Sequence, residues 1–332
     1  MKSQLTKTAA RQALRRHIED LGINRIPDPP PLTIGQAGSI RAILSPTFNQ
    51  VADAWIEKRL PLLKPSAIYA DPPAIANHLR PFFGPMVLGR IKTLHVNEWV
   101  GQMNAKGLKP KSTHNLWRKF RAIANWWAQQ NDAPPRKWYP LLPEIPYEPQ
   151  RWFTLVEVAL IVDAAKGQYK LLFRLAAYSG LRFGELAGLH VDDVDFSRGV
   201  ITVRRSVWDG QETTTKTRRG FRDVWIDSTT VDMIRQHLGN RRAGRIFETR
   251  NGTPIRNDSV VGRVLKPICR SLGIKPGGMH AFRHGRISHL QANGAPADFT
   301  KNQVGHSSLR TTSGYTHFSE QFQRELVERL AN

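Results

Sequence analysis

Between residues 133 and 149 the chain reads APPRKWYPLLPEIPYEP, and Pro134, Pro135, Pro140, Pro143, Pro146 and Pro149 exclude both a helix and a sheet interior from that stretch. Proline has no amide proton for a ladder, and its ring clashes with the preceding helical turn. The chain must therefore fold on either side of a break, and 332 residues are enough for about two domains. Pro27, Pro29, Pro30 and Pro31 make a second break, after 22 residues that can form a helix carrying Arg11, Arg15 and Arg16. The expected organisation is a basic arm at 1–45, a helical domain at 46–135, a Pro-rich linker at 136–149 and a mixed domain at 150–332. No internal repeat is present.

The formal charge is +22, and it is shared: residues 1–150 hold 21 Lys and Arg against 10 Asp and Glu, residues 151–332 hold 28 against 17. A surface this basic attracts polyanions by counterion release, so both halves are expected to face nucleic acid. Charge alone leaves an RNA-coating protein open, because it speaks of partners and not of fold. The single cysteine, Cys269, excludes an internal disulfide framework and a thiolate zinc cluster. No stretch has the roughly 18 apolar residues of a membrane span, and charges stand where a signal peptide would be apolar, so the expected location is the cytoplasm.

Apolar residues at three-to-four spacing predict helices over 47–59, 72–82, 94–105 and 111–130. In the last, Leu116, Phe120, Ile123 and Trp127 form one stripe while Lys111, Arg118 and Arg121 fall on another face, which is either a solvated surface or a DNA contact. After the break, helices are expected at 155–166 and 168–178, with Gly180 closing the second. Strand character follows at 199–208, 212–216 and 221–226, separated by Asp209-Gly210 and Arg219-Gly220, which predicts a small antiparallel sheet. Helical patterns return at 229–238, 258–272, 280–292, 296–304, 308–315 and 319–330.

Three polar groupings stand out. Arg182 follows a Ser-Gly turn, with Glu185 one helical turn on; a lone arginine there would simply pair with that glutamate. His280, Arg283 and His284 share one side of a helix that starts after Gly277-Gly278. The two histidines have the spacing of zinc ligands, but the glutamate of a metalloprotease helix is missing and an arginine sits between them, so no metal is expected. His306 follows Gly305, and Tyr315 comes nine residues later, where ordinary packing is the bland reading. Asp192, Asp193 and Asp195 are expected to cap or solvate the turn into the sheet rather than hold magnesium.

Together these groupings resemble the tyrosine recombinase (phage integrase) family. Ser179-Gly180-Leu181-Arg182-Phe183-Gly184-Glu185-Leu186 is similar to its first arginine box, His280-Ala281-Phe282-Arg283-His284 to its H-x-x-R box, and Gly305-His306-Ser307-Ser308 with Tyr315-Thr316-His317 to its terminal segment. Lys216, within Thr213-Thr214-Thr215-Lys216-Thr217, resembles the family's hairpin lysine. Four boxes in order are far more specific than any single one. The resemblance implies a mainly α chain with a small antiparallel β-sheet, an α+β arrangement with a helical core-binding domain and a mixed catalytic domain. It also implies DNA recombination sites as partner, a homo-tetramer assembled on DNA, and no cofactor. Gly285-Arg286 and the polar run Phe299 to Val304 depart from the family's usual small or apolar residues.

The implied chemistry suits these residue types. Attack on a phosphodiester builds negative charge on non-bridging oxygens, which the planar forks of Arg182 and Arg283 can meet without a metal. Tyr315 would attack, a phenol that needs its proton accepted; His280 is the candidate acceptor, Lys216 the acid for the departing 5′ oxygen, and His306 would bond the phosphate or support acid catalysis. Glu185 and His284 would either hold Arg182 and the His280 helix in place or be ordinary surface or packing residues. The stripe Phe322, Leu326 and Leu330 would serve assembly or packing. A type IB topoisomerase would share this chemistry but relax plasmid lacking any site, and a silent DNA-binding regulator would form no covalent adduct.

Overall fold

The computed structural model describes residues 46–214 and 221–305. The chain divides between Tyr147 and Glu148 into two compact units. Among the described residues no helix is long and apolar enough to cross a membrane.

In the N-terminal unit, α1 (Phe48–Lys58) opens on Thr47, whose hydroxyl accepts the Gln50 amide while the Gln50 side chain accepts the Thr47 amide. Next, α2 (Pro65–Ala74) starts on a proline where no donor is needed, and runs through a π turn at Ile75–Leu79 into α3 (Arg80–Phe83). Periodicity predicts helix only from residue 72, but Pro72 and Pro73 lie inside this one. Their missing amides interrupt the hydrogen-bond ladder, and the π turn follows just beyond. Burial of Asp71, Ile75 and Leu79 keeps the segment helical all the same. Then come α4 (Thr93–Ala105) and α5 (Pro110–Gln130). The core is aromatic: Phe48, Phe83, Trp99 and Phe120 are fully buried, with ring centroids 4.4 Å apart for Phe83 and Phe120 and 5.2 Å for Phe48 and Phe120. Each such side chain contributes about 1.5 to 3 kcal/mol by leaving water.

Residues 133–149 form neither helix nor strand. Trp138 is nevertheless buried in this core, its indole N–H donating to the Ile91 carbonyl at 3.0 Å, and Leu142 packs beside it. The first half of the stretch expected to act as a linker is thus bound to the N-terminal unit.

The second unit begins with α6 (Leu155–Ala164), capped by Thr154 and Glu157, and α7 (Gln168–Ser179). The short α8 (Phe183–Ala187) precedes a three-stranded antiparallel sheet ordered β1 (Val194–Asp195), β2 (Val200–Val203), β5 (Arg222–Trp225), with Ile201 opposite Val224. A separate hairpin joins β3 (Arg205–Trp208) to β4 (Gln211–Thr214) through Asp209 and Gly210, both at positive φ as the Asp-Gly pair predicts. The run 199–208, expected as one strand, is therefore two. Arg204 and Arg205 both reach the Asp192–Asp193 corner, at 3.4 and 2.9 Å from Asp193 Oδ1. Consecutive residues of one regular strand point to opposite faces, so the backbone must break there. Asp193 also accepts the His190 amide and Asp195 the amides of Ser197 and Arg198, the capping expected of these carboxylates. Helices α9 (Ser228–Leu238), α10 (Asn257–Val260), α11 (Lys266–Ser271), α12 (Met279–Ala292) and α13 (Ala297–Val304) complete the described part, with a π turn at Val261–Leu265. Phe173 stacks on Phe282 within this core, and Phe153 lies tilted against Phe282.

Candidate active site

Three turns of the second unit meet in one place. Gly180 closes α7 in the left-handed conformation, at φ 69°, and Arg182 is the residue before α8, with Glu185 one turn inside it. α12 carries His280, Arg283 and His284. α13 ends at Gly305, again left-handed at φ 69°. Only glycine takes that conformation without strain.

Arg283 is 3% exposed and donates from Nη1 to the Gly180 carbonyl at 2.6 Å. Arg182 donates from Nη2 to the Gly305 carbonyl at 2.8 Å and from Nη1 to Glu185 Oε1 at 3.0 Å. The first arginine box thus touches both the H-x-x-R helix and the turn that precedes His306. The Arg182 side chain stays 41% exposed, while Glu185 is 7% exposed. Such a group can meet an anion from solvent without rearranging its supports.

Burial works against ionised Glu185, but Arg222, by hydrogen bond and by charge, and Arg182 outweigh it and hold the carboxyl below its usual range. His280 is exposed at its edge and stands 5.8 Å, ring to ring, from His284. Desolvation, then the charges of Arg283 and Arg182, lower its pKa. His284 is buried, and desolvation followed by His280 and Arg283 pushes it down to about 4. Both imidazoles are neutral at pH 7, so His280 is able to accept a proton.

One residue of this cluster is missed by motif reading. Arg222, on β5, makes a two-pronged ion pair with Glu185, at 3.0 Å to Oε1 and 2.8 Å to Oε2. Its Nε faces the Gln303 carbonyl at 3.5 Å. A Cβ built on Gly305 would fall 2.6 Å from the Arg222 guanidinium carbon, so the guanidinium lies directly against this turn. The Gln303 side chain extends the same strand edge, bonding the Trp225 amide and carbonyl at 3.2 and 2.7 Å. The only sequence signal was that the run 299–304 is polar where apolar residues are usual. Gly285, another departure, lies so close to the Phe153 carbonyl that a methyl group would overlap it.

Lys216, His306 and Tyr315 lie outside the described residues, as do the arm at 1–45 and the stripe Phe322, Leu326 and Leu330. In the N-terminal unit Lys111, Arg118 and Arg121 are exposed on one face of α5, opposite buried Leu116, Phe120 and Ile123. Lys119, between them in sequence, is instead paired with Asp71.

This fold is that of the tyrosine recombinases and integrases. The second unit matches the model of the Phage integrase family over residues 151–321, and residues 47–104 match the Phage integrase N-terminal SAM-like domain. The chain belongs to the phage integrase family, whose tyrosine recombinases are enzymes that cleave and rejoin DNA. It is 26% identical over 282 residues to the "Tyrosine recombinase XerC-like" protein of Caldanaerobacter subterraneus subsp. tengcongensis, covering 74% of this chain and 72% of that one. It is 30% identical over 179 residues to the ICEBs1 integrase of Bacillus subtilis, covering 49% of this chain and 48% of that protein. The Tn1549 transposon integrase, solved in complex with transposon right end DNA, superposes with a TM-score of 0.74 at 23% identity, over 86% of this chain and all of that one.

Proposed function

We propose that this protein is a site-specific integrase of a mobile element, acting in the cytoplasm on two double-stranded DNA sites as a homo-tetramer assembled on them. Residues 46–135 serve as core-binding domain, with Lys111, Arg118 and Arg121 on DNA phosphates, and residues 150–332 carry the chemistry. Arg182 and Arg283 hold the non-bridging oxygens of the scissile phosphate. The Tyr315 hydroxyl attacks phosphorus as His280 accepts its proton; the bond to the 5′ oxygen breaks and that oxygen takes a proton from Lys216. His306 bonds the phosphate, and Glu185 and His284 hold the arginine turn and the His280 helix. The product is a 3′-phosphotyrosyl link and a free 5′ hydroxyl, and attack by a partner strand's 5′ hydroxyl reverses the step without ATP.

The observation that carries this reading is the bond from Arg283 to the Gly180 carbonyl, two residues before Arg182, which joins two arginines 101 positions apart into one cationic turn. The test is covalent adduct formation with DNA. Denaturing recovery from cells should yield DNA bound to the wild-type protein and none bound to Tyr315→Phe, with binding of the recovered site unchanged; adducts that persist in Tyr315→Phe would refute the nucleophile.

A further inference from the structure

We propose that Arg222 is a positioning residue of this site: it offsets the charge of Glu185, so that Arg182 meets the scissile phosphate with its full positive charge. The inference rests on the strand-cleavage reading above and concerns a residue outside all four boxes.

Glu185 meets two conflicting demands. Glu185 is needed to fix Arg182, accepting both its backbone amide at 2.8 Å and its Nη1 at 3.0 Å. A buried carboxylate that close to a guanidinium cancels much of its field at any third point, and a phosphate would meet a nearly neutral pair. Arg222 resolves this. Its fork bonds both carboxylate oxygens, and its side chain is 10% exposed where that of Arg182 is 41% exposed. The three groups together carry one net positive charge, and Arg182 is the member open to solvent.

Arginine is suited to the place by shape as well as charge. The planar guanidinium lies against Gly305, where a Cβ would fall 2.6 Å away, and reaches two oxygens at once, which an ammonium group cannot do. Arg222 also opens β5, directly after the segment that carries Lys216, and its Nε faces the carbonyl of Gln303, two residues before Gly305. One side chain therefore ties the start of β5, the buried glutamate and the turn before His306 to each other.

The experiment uses the full-length protein as wild type, Arg222→Gln, Arg222→Lys and the double variant Glu185→Gln/Arg222→Gln. Single-turnover adduct formation and affinity are measured on a nicked duplex carrying the site recovered from wild-type adducts. Arg222→Gln should slow cleavage about 100-fold while changing affinity by less than about threefold. Removing the uncompensated carboxylate in the double variant should restore at least about tenfold of that loss, which a purely structural defect would not allow. The Arg222→Gln deficit should also shrink as pH falls, because Glu185 without Arg222 takes up a proton at higher pH. A double variant no faster than Arg222→Gln, or an Arg222→Gln protein as fast as wild type, overturns the proposal. If Arg222→Gln does not fold, Arg222→Lys decides: cleavage within about tenfold of wild type supports the charge role, and a loss as deep as that of Arg182→Ala overturns it. If the wild-type protein forms no adduct on any DNA, it is the cleavage reading that has failed. The Glu185 carboxyl titration, followed by carbon-13 NMR, then judges Arg222 separately: a midpoint raised in Arg222→Gln supports it, and an unchanged midpoint overturns it.

Discussion

Replacing Gly184 with alanine separates the hairpin's part in leaving-group chemistry from every other function of the site. Gly184 lies in α8 against β3: an added Cβ would stand 2.6 Å from the Val207 carbonyl oxygen and 2.6 Å from Ser206 Oγ, where ordinary contact begins at 3.4 Å. A hydroxyl can rotate away, but a backbone carbonyl cannot, so α8 and the hairpin must part by about 0.8 Å. Leu186 and Ala187, both fully buried, anchor α8, so the hairpin is the side that gives. Val207 is the hairpin's one buried apolar side chain among the described residues, and its polar ties include those from Arg205 to Asp192 and Asp193, from Glu212 to Arg245 and His190, and from Asp209 to Arg256. The outer pairs lie near the surface and yield readily, whereas Arg205–Asp193, at 17% and 2% exposure, holds the start of β3 and leaves the β4 end to move. The displacement should therefore pass along β4 toward Lys216, which follows Thr214 by two residues. Overpacking of this kind costs about 1 to 3 kcal/mol of stability, and misplacing a catalytic group by about 1 Å lowers a rate about 100-fold. The assay is single-turnover adduct formation on two nicked duplexes, one ordinary and one with sulfur in place of the bridging 5′ oxygen. A thiolate leaves without a proton, its pKa of about 8.5 being far below that of an alcohol. Gly184→Ala should be about 100-fold slow on the oxygen substrate and within about threefold of wild type on the sulfur one. Equal loss on both substrates, or none on either, would refute the link from α8 through the hairpin to Lys216.

Two further outcomes follow from the site's geometry. Arg182→Ala removes a guanidinium that is 41% exposed, so the fold should persist while adduct formation falls by about 100- to 1000-fold, and a wild-type rate would remove Arg182 from the phosphate. His284 takes up its proton near 4 in the folded protein and near 6.5 in the unfolded chain, so its contribution to stability is complete above pH 6.5 and is lost as pH falls toward 4. By pH 4.5 the loss amounts to about 2 to 3 kcal/mol, and unfolding free energies from urea titration at pH 7 and 4.5 should differ by that much less in His284→Gln than in wild type; equal differences would refute the assignment.

What could be read from the sequence, and what could not, follows from where each constraint acts. Arg182, Glu185, Arg283 and His280 were legible because each stands a fixed step from a glycine turn that local chain geometry demands, and a turn with its neighbours is a contiguous word. Arg222 was not legible, because its role is set by a carboxylate 37 residues earlier and a glycine 83 residues later, and a strand-opening arginine carries no local mark of either. The same distinction governs the fold. The Asp-Gly turn of the β3–β4 hairpin and the stripe of α5 are local patterns, and the structure has both. The break at Arg204 depends on the Asp192–Asp193 corner, and the burial of Trp138 depends on the Ile91 carbonyl, 47 residues away. Gly285 makes the point most sharply: as sequence it departs from the family pattern, yet it is where α12 runs against the Phe153 carbonyl too closely for any side chain. That contact fixes the depth at which α12 sits, and with it the place of Arg283 two residues earlier. The departure is thus one of the constraints that bring the Arg283 guanidinium to the Gly180 carbonyl.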